Sequence, residues 1–187
     1  MSNINLLKNY WLKKANDYLI WKKKPKISFT KKNNYSRWFP DGEINLYENI
    51  IIRNLKKNPD KIAIITLDKD KKIEKYKYAE IHNLVLKFEK NFFKSKKNYR
   101  VIIHSSASIE SAISMLACIK NGYHFCVVFE ELEKLSIRKR LKIFKPNLIL
   151  TYHPNKFKNN KIKLKKFNEF SFNQKKSVSK KDISINY

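Results

Sequence analysis

The sequence predicts an α/β domain built on a mainly parallel sheet with flanking helices, preceded by an N-terminal helix and an extended arm. Short apolar runs, "KIAIIT", "VII", "FCVVF" and "NLILT", alternate with longer stretches whose apolar residues recur at three- and four-residue steps, the pattern of strand alternating with helix. "FCVVF" is apolar on both faces, as a strand covered on both sides is. Turn and stop residues, Asp41-Gly42, Pro59, Gly122 and Pro146, fall between these stretches.

In chain order, Leu6, Leu7, Tyr10, Trp11 and Ala15 lie near helical spacing and predict a short amphipathic helix between Ile4 and Trp21. "KKKPKISFTKKNNYS" is polar and without period, and reads as an extended arm or loop. After the Asp41-Gly42 turn, Asn45 can cap a helix with Glu48 in the capping-box position; Leu46, Ile50 and Leu55 would face the core, and Pro59 stops the helix after Asn58. Residues 61–66 form a strand, "LDKDKK" a turn, and "IEKYKY" a second short strand. Tyr78, Ile81, Leu84, Val85, Phe88 and Phe92 mark a helix with one buried face. A strand over Val101–Ile103 follows, then a helix with Ile109, Ala112, Ile113, Leu116 and Ala117 inward and Gly122 at its end. "FCVVF", a helix over Glu133–Phe144 and "NLILT" complete the alternation, for which a parallel sheet with right-handed crossovers is expected. Residues 155–187 hold ten lysines and little period beyond a short strand at "KIKLKKF", with a disordered end expected.

At 187 residues the chain suits one ordinary domain. It has no apolar block of membrane-spanning or secretory-signal type, which makes a cytoplasmic protein without a membrane partner the expectation. Cys118 and Cys126 sit inside apolar segments as small hydrophobes, and no Cys-x-x-Cys or Cys/His cluster suggests a metal. The net charge of +26 invites a nucleic-acid reading. Against it, arginine occurs only at 37, 53, 100, 138 and 140, whereas base and phosphate readers favour its planar fork. The excess of Lys, Asn and Ile with few glycines fits an A+T-rich gene, and the lysines are read first as a solvated surface. His82, His104, His124 and His153 have no carboxylate or cysteine at ligand spacing.

Several fragments in register carry a family resemblance. "RWFPDGEINLYENI", "NPDKIAII", "KYKYAEIHNLVLKF", "IESAISMLACIKNG…VVF" and "RKRLKIFKPNLILT" resemble, in order and spacing from about Tyr10 to Leu164, the N-terminal third of acetyl- and propionyl-CoA synthetases. The resemblance implies part of the N-terminal domain of an adenylate-forming ligase, with residues 1–40 as helix and arm, 41–154 as the α/β subdomain and 155–187 as a lysine-rich strand and tail. In that family ATP activates a carboxylic acid to an acyl-adenylate, and the acyl group then passes to coenzyme A, with Mg also bound.

The ligand-facing positions that the resemblance assigns are altered. Where the family has Gly-Gly-Phe beside the coenzyme A entrance, Glu130-Glu131-Leu132 stand here, and two carboxylates repel a polyphosphate. A structural reading competes and is preferred: with Glu133 they lie at a helix N-terminus, and Arg138, Lys139, Arg140, Lys142 and Lys145 lie toward its C-terminus. The family's two phosphate-contacting arginines fall at Phe157 and Asn160; Lys156, Lys158 and Lys161 supply charge nearby without the two-point geometry. "SSASI" replaces a Met-Pro…Pro loop, Asn98-Tyr99 a Gly-Asp, and Phe125 a motif His, while His82 matches a family His. With Gly42 and Gly122 the only glycines, no phosphate loop can be built from this sequence.

The sequence therefore nominates no catalytic, cofactor-binding or metal residue, and no cofactor is expected for this chain alone. The expected function is a truncated or degenerate synthetase-like protein without independent catalysis. Two alternatives stand beside it: one part of a split synthetase completed by a second chain or an intact paralogue, and a basic module binding nucleic acid or another acidic partner.

Overall fold

In the computed structural model, the described residues are 2–32, 34–67, 72–93, 98–157 and 162–167. The turn expected over residues 68–71, the positions Lys158, Asn160 and Lys161, and the expected disordered end over 168–187 lie outside them. The chain divides into two compact units, Met1–Arg53 and Asn54–Tyr187.

The first unit starts with helix α1 (Ser2–Tyr18), which turns Ala15 inward and is closed by the Trp21 indole donating to the Ala15 carbonyl at 2.9 Å. The expected arm is partly a hairpin, β1 (Phe29–Lys32) antiparallel to β2 (Tyr35–Trp38). What makes it one is the cross-strand pair Phe29 and Trp38, whose ring centroids lie 5.1 Å apart. Gly42 is demanded by packing: a Cβ there would stand 2.8 Å from the Trp21 ring. Asp41 accepts the Lys26 and Ile27 amides, and the Lys26 bond, ahead of the smaller effects, holds its carboxyl below the usual range. Buried Asn49 ties down the Ile20 backbone, accepting from its amide at 2.8 Å and donating to its carbonyl at 2.9 Å.

The helix expected after Asn45 forms with a different face inward. Asn45 Oδ1 accepts the Tyr47 amide at 2.8 Å, as a capping residue does, but Glu48–Ile52 then winds as a π-helix before α2 (Arg53–Lys57). The wider turn rotates the side chains, so Tyr47, Ile51, Ile52 and Leu55 are buried while Leu46 and Ile50 stand exposed.

In the second unit β3 (Ile62–Leu67) and β4 (Ile73–Lys77) form an antiparallel pair of their own. Helix α3 (Tyr78–Phe92) starts where Glu80 accepts the Lys77 amide at 2.7 Å, and it buries Ile81, Leu84, Val85, Phe88 and Phe92, the face its spacing predicts. β5 (Arg100–His104), α4 (Ile109–Asn121), β6 (His124–Val128), α5 (Lys134–Phe144), β7 (Leu148–Thr151) and β8 (Lys163–Lys166) follow. The four strands make one parallel sheet in the order β6-β5-β7-β8. One sheet face holds Ile102, Val128 and Ile149 against Ile137 of α5 and Phe157. On the other side α4 packs against β5 and β6, and α3 against α4, where Lys120 and Glu89 pair at 2.9 Å.

Local chemistry fixes the ends of the α/β unit. Ser108 caps α4 by accepting the Ser111 amide, and Gly122 ends it at φ 66, with the Tyr123 amide reaching back to the Cys118 carbonyl. Burial pushes the Cys118 thiol up to about 12, so it packs as a hydrophobe. Arg100 closes the other end, donating from Nε to the Phe144 carbonyl at 2.8 Å while its guanidinium lies over the Phe144 ring. Gly122→Ala places a Cβ in the left-handed region with no steric neighbour, and should cost about 1 kcal/mol of unfolding free energy in urea titrations.

Candidate functional site

A doubly wound parallel sheet opens a crevice where successive connections leave a strand in opposite directions, outside the strands' C-terminal ends. Here the chain passes from β5 to β6 on one side and returns to β7 on the other, so the crevice lies at the ends of β5 and β7. The register places His104 directly beside Thr151 at that point.

Both side chains are fully buried. His104 Nδ1 and Thr151 Oγ1 stand 2.8 Å apart, and the same oxygen accepts the His153 amide at 2.9 Å. His104 Nε2 is buried without a hydrogen-bond partner among the described residues, and its ring meets Phe157 edge-on at 5.0 Å. Burial, reinforced by Lys156 and His153, lowers the imidazole to about 4, which keeps it neutral at ordinary pH.

Above this pair the strand-following loops close on one another. Glu130, in the turn after β6, sets Oε2 3.5 Å from Ser106 Oγ and 3.7 Å from His153 Nε2, and its backbone carbonyl receives Lys156 Nζ. Ser105 is buried and bonds within its own loop, to the Ser106 carbonyl and toward Ser108. Tyr152, beside them, is raised by burial and by the carboxylate of Glu110. The arrangement joins three loops by short polar contacts. His104 and Thr151 form a hydroxyl–imidazole pair, but both side chains are fully buried, so the hydroxyl is not presented at the surface. Among the described residues no three His, Cys, Asp or Glu side chains are grouped to hold a metal ion.

The sequence-stretch expectations meet this geometry unevenly. Glu133 is the N-cap of α5, and the first turn of that helix carries no acid. Glu130 instead turns toward Ser106 and His153, so its role is at the strand ends and not at the helix terminus. Phe157, at the first arginine position of the resemblance, is buried in the core beside Ile102 and Ile149. His82 is buried on α3 and its pKa is lowered chiefly by that burial; His124 opens β6 at the opposite end of the sheet. The cluster His104, Ser106, Glu130, Thr151, His153 and Lys156 was not nominated from sequence. The sequence signals for it were Glu130, Lys156 and the loop that begins at Ser105, which the resemblance set at ligand-facing positions, and His104 just after the strand expected over Val101–Ile103.

Similarity to known proteins follows the same outline. A family profile described as the acetyl-coenzyme A synthetase N-terminus matches residues 3–50. Acetyl-coenzyme A synthetases of Ralstonia pickettii and Herminiimonas arsenicoxydans are 34% and 36% identical over 137 and 141 residues, each match covering 71% of this chain. The chain is an acetyl-coenzyme A synthetase-like N-terminal region. It spans about a fifth of the length of those curated relatives, 21% in both cases. In three dimensions this synthetase-like region is similar to acetoacetyl-CoA synthetase from Streptomyces lividans, with a TM-score of 0.69 at 15% identity, covering 78% of this chain and 23% of that one. CmiS6 is similar at a TM-score of 0.51 and 22% identity, over 57% of this chain and 26% of that one. These likenesses show the fold, a mixed α/β domain with a parallel sheet and flanking helices.

Two outcomes are expected at the sheet edge of this synthetase-like region. His104 is neutral when folded and takes up a proton when unfolded near its ordinary value of 6.5, so stability is full above that pH and falls as pH drops toward about 4. His82 adds in the same direction. His104→Gln should therefore show a smaller fall in urea midpoint between about pH 7 and pH 4.5 than the unaltered chain, though not a vanishing one. Phe157→Ala empties a core position and should cost about 3–5 kcal/mol in the same titration at neutral pH.

Proposed function

We propose that this region, by itself, does not form an acyl-adenylate or a coenzyme A thioester, and that it is a truncated or degenerate synthetase that keeps the packing of its family. The observation that carries this reading is the crevice at the ends of β5 and β7, which is bridged by the chain's own Glu130, His153, Ser106 and Lys156. A polyphosphate ligand does not fit these residues. The half-buried Glu130 carboxylate opposes its charge, and Phe157 presents an apolar ring at a position where the family has a guanidinium. Flexible backbone able to wrap a phosphate is also missing, since Gly122 serves a helix end and Gly42 packs on an indole.

A second reading has its own support. The β3–β4 pair shows Ile65, Leu67 and Ile73 to solvent, and Phe129 is exposed beyond β6, so apolar surface is present for a further polypeptide to cover. That polypeptide would supply the phosphate loop and the catalytic lysine of a split synthetase. The lysine-rich surface favours a nucleic-acid module less, because Arg53, Arg100 and Arg140 all donate to backbone carbonyls of their own chain.

Purified protein is expected to show no acetate- or propionate-dependent exchange of pyrophosphate into ATP; measurable exchange defeats the non-catalytic reading. The DNA following the Tyr187 codon separates the two accounts. A continuing synthetase frame, with exchange appearing when its product is mixed in, establishes the split enzyme, and unrelated sequence supports the degenerate one.

A further inference from the structure

The first unit carries an apolar helix face that its own fold leaves bare. Along α1, Leu7, Trp11, Lys14 and Tyr18 succeed one another at three- and four-residue steps, and Tyr10, three residues after Leu7, lies on the same side. Leu7, Tyr10 and Tyr18 are more than half exposed, as are Ile4 and Leu6 near the start of the helix, and Trp11 is nearly so. The stripe beside it, with buried Ala15 and half-buried Leu12 and Leu19, is the one turned into the unit. The hairpin extends the bare face: Trp38, itself exposed, meets Trp11 edge-on at 6.0 Å, and Tyr35 lies exposed two residues before it. The Lys14 ammonium lies between two of these rings, with Nζ 5.6 Å from the Tyr10 centroid and 5.4 Å from that of Tyr18.

The charge around this face has one sign. From residue 2 to residue 38 the chain carries nine lysines and Arg37 against a single acid, Asp17. Two copies meeting through such surfaces would bring like charges together, so a second copy is disfavoured as the occupant. Nucleic acid would gain from the aromatic rings but nothing from Ile4, Leu6 and Leu7, which cannot stack on bases. Aliphatic side chains at one end, a belt of Trp and Tyr beside them, and flanking lysines match the interface of a lipid bilayer bearing negative headgroups. No helix among the described residues is long and apolar enough to cross a membrane, and a helix lying in the headgroup plane has no need to be.

We propose that α1 and the β1–β2 hairpin form a docking face for an anionic bilayer surface, with Leu7, Tyr10, Trp11 and Trp38 entering the headgroup layer and the lysines meeting its charge. This goes beyond the synthetase reading and does not depend on it. Full-length protein mixed with vesicles of phosphatidylcholine containing about a third phosphatidylserine should co-sediment and show a blue shift of tryptophan emission. Trp11 and Trp38 lie on the face, whereas Trp21 is packed on Gly42. Vesicles of phosphatidylcholine alone should bind far less. The double variant Leu7→Glu, Tyr10→Glu alters only exposed positions, and circular dichroism should confirm its helix; its partitioning should fall by about tenfold or more. Lys13→Glu with Lys14→Glu should weaken binding to the anionic vesicles and leave the residual binding to neutral ones unchanged. Equal binding to both vesicle types, undiminished binding by the Leu7/Tyr10 variant, displacement from vesicles by short duplex DNA, or vesicle-independent dimers lost in that variant would each overturn the proposal.

Discussion

β5 lies between β6 and β7 with both of its backbone edges paired, and its side chains from Val101 to His104 are all out of water. Ile102 joins one side of the sheet to α5 and Phe157, and its neighbours in the strand point to the opposite face, where α4 packs. A strand in this position has no face left for solvent, so its residues must be apolar or internally satisfied. Everything placed around it inherits that demand. Arg100 at its start is held by Phe144 and Asn147, and His104 at its end is held by Thr151.

The same demand shapes the crevice. His104 is buried because β5 ends inside the domain, and its lowered pKa records how little the site tolerates charge. Glu130 stays nearer to water, with its carboxylate 3.7 Å from His153 Nε2 and its backbone carbonyl accepting from Lys156 Nζ. Packing and polar chemistry divide along the same line: the strand interior is apolar, while the loops at the mouth meet through Glu130, Ser106, His153 and Lys156.

Sequence spacing revealed those elements whose burial is set within a single segment. The inward face of α3, the cap at Gly122 and all four strands of the parallel sheet follow from local period and turn chemistry, whereas α4 buries Ile109, Ile113 and Ala117 as expected but also Ser111, Ser114 and Cys118 in place of Ala112 and Leu116. It did not reveal the hairpin, because Phe29 and Trp38 become partners only across a turn, nor the π-helix, whose wider winding substitutes Tyr47 and Ile51 for Leu46 and Ile50. The site was hidden for a related reason. His104 and Thr151 are 47 residues apart and meet only through the register of two parallel strands. The motifs that were legible were those of the family, and they marked segments along the chain, not the pairing of His104 with Thr151 across strands.

The two margins of the parallel sheet differ in kind. β8 displays Lys163, Lys165 and Lys166 along its length, and a strand so charged discourages another strand from adding to it. β6 carries no acid, lysine or arginine from His124 to Val128, and among the described residues β5 is the only strand paired with it. In a growing or crowded cell the lysines of this chain would act as gatekeepers on one flank only. Misassembly, where it occurs, would therefore be directional, beginning at β6 and leaving β8 as the end that does not propagate.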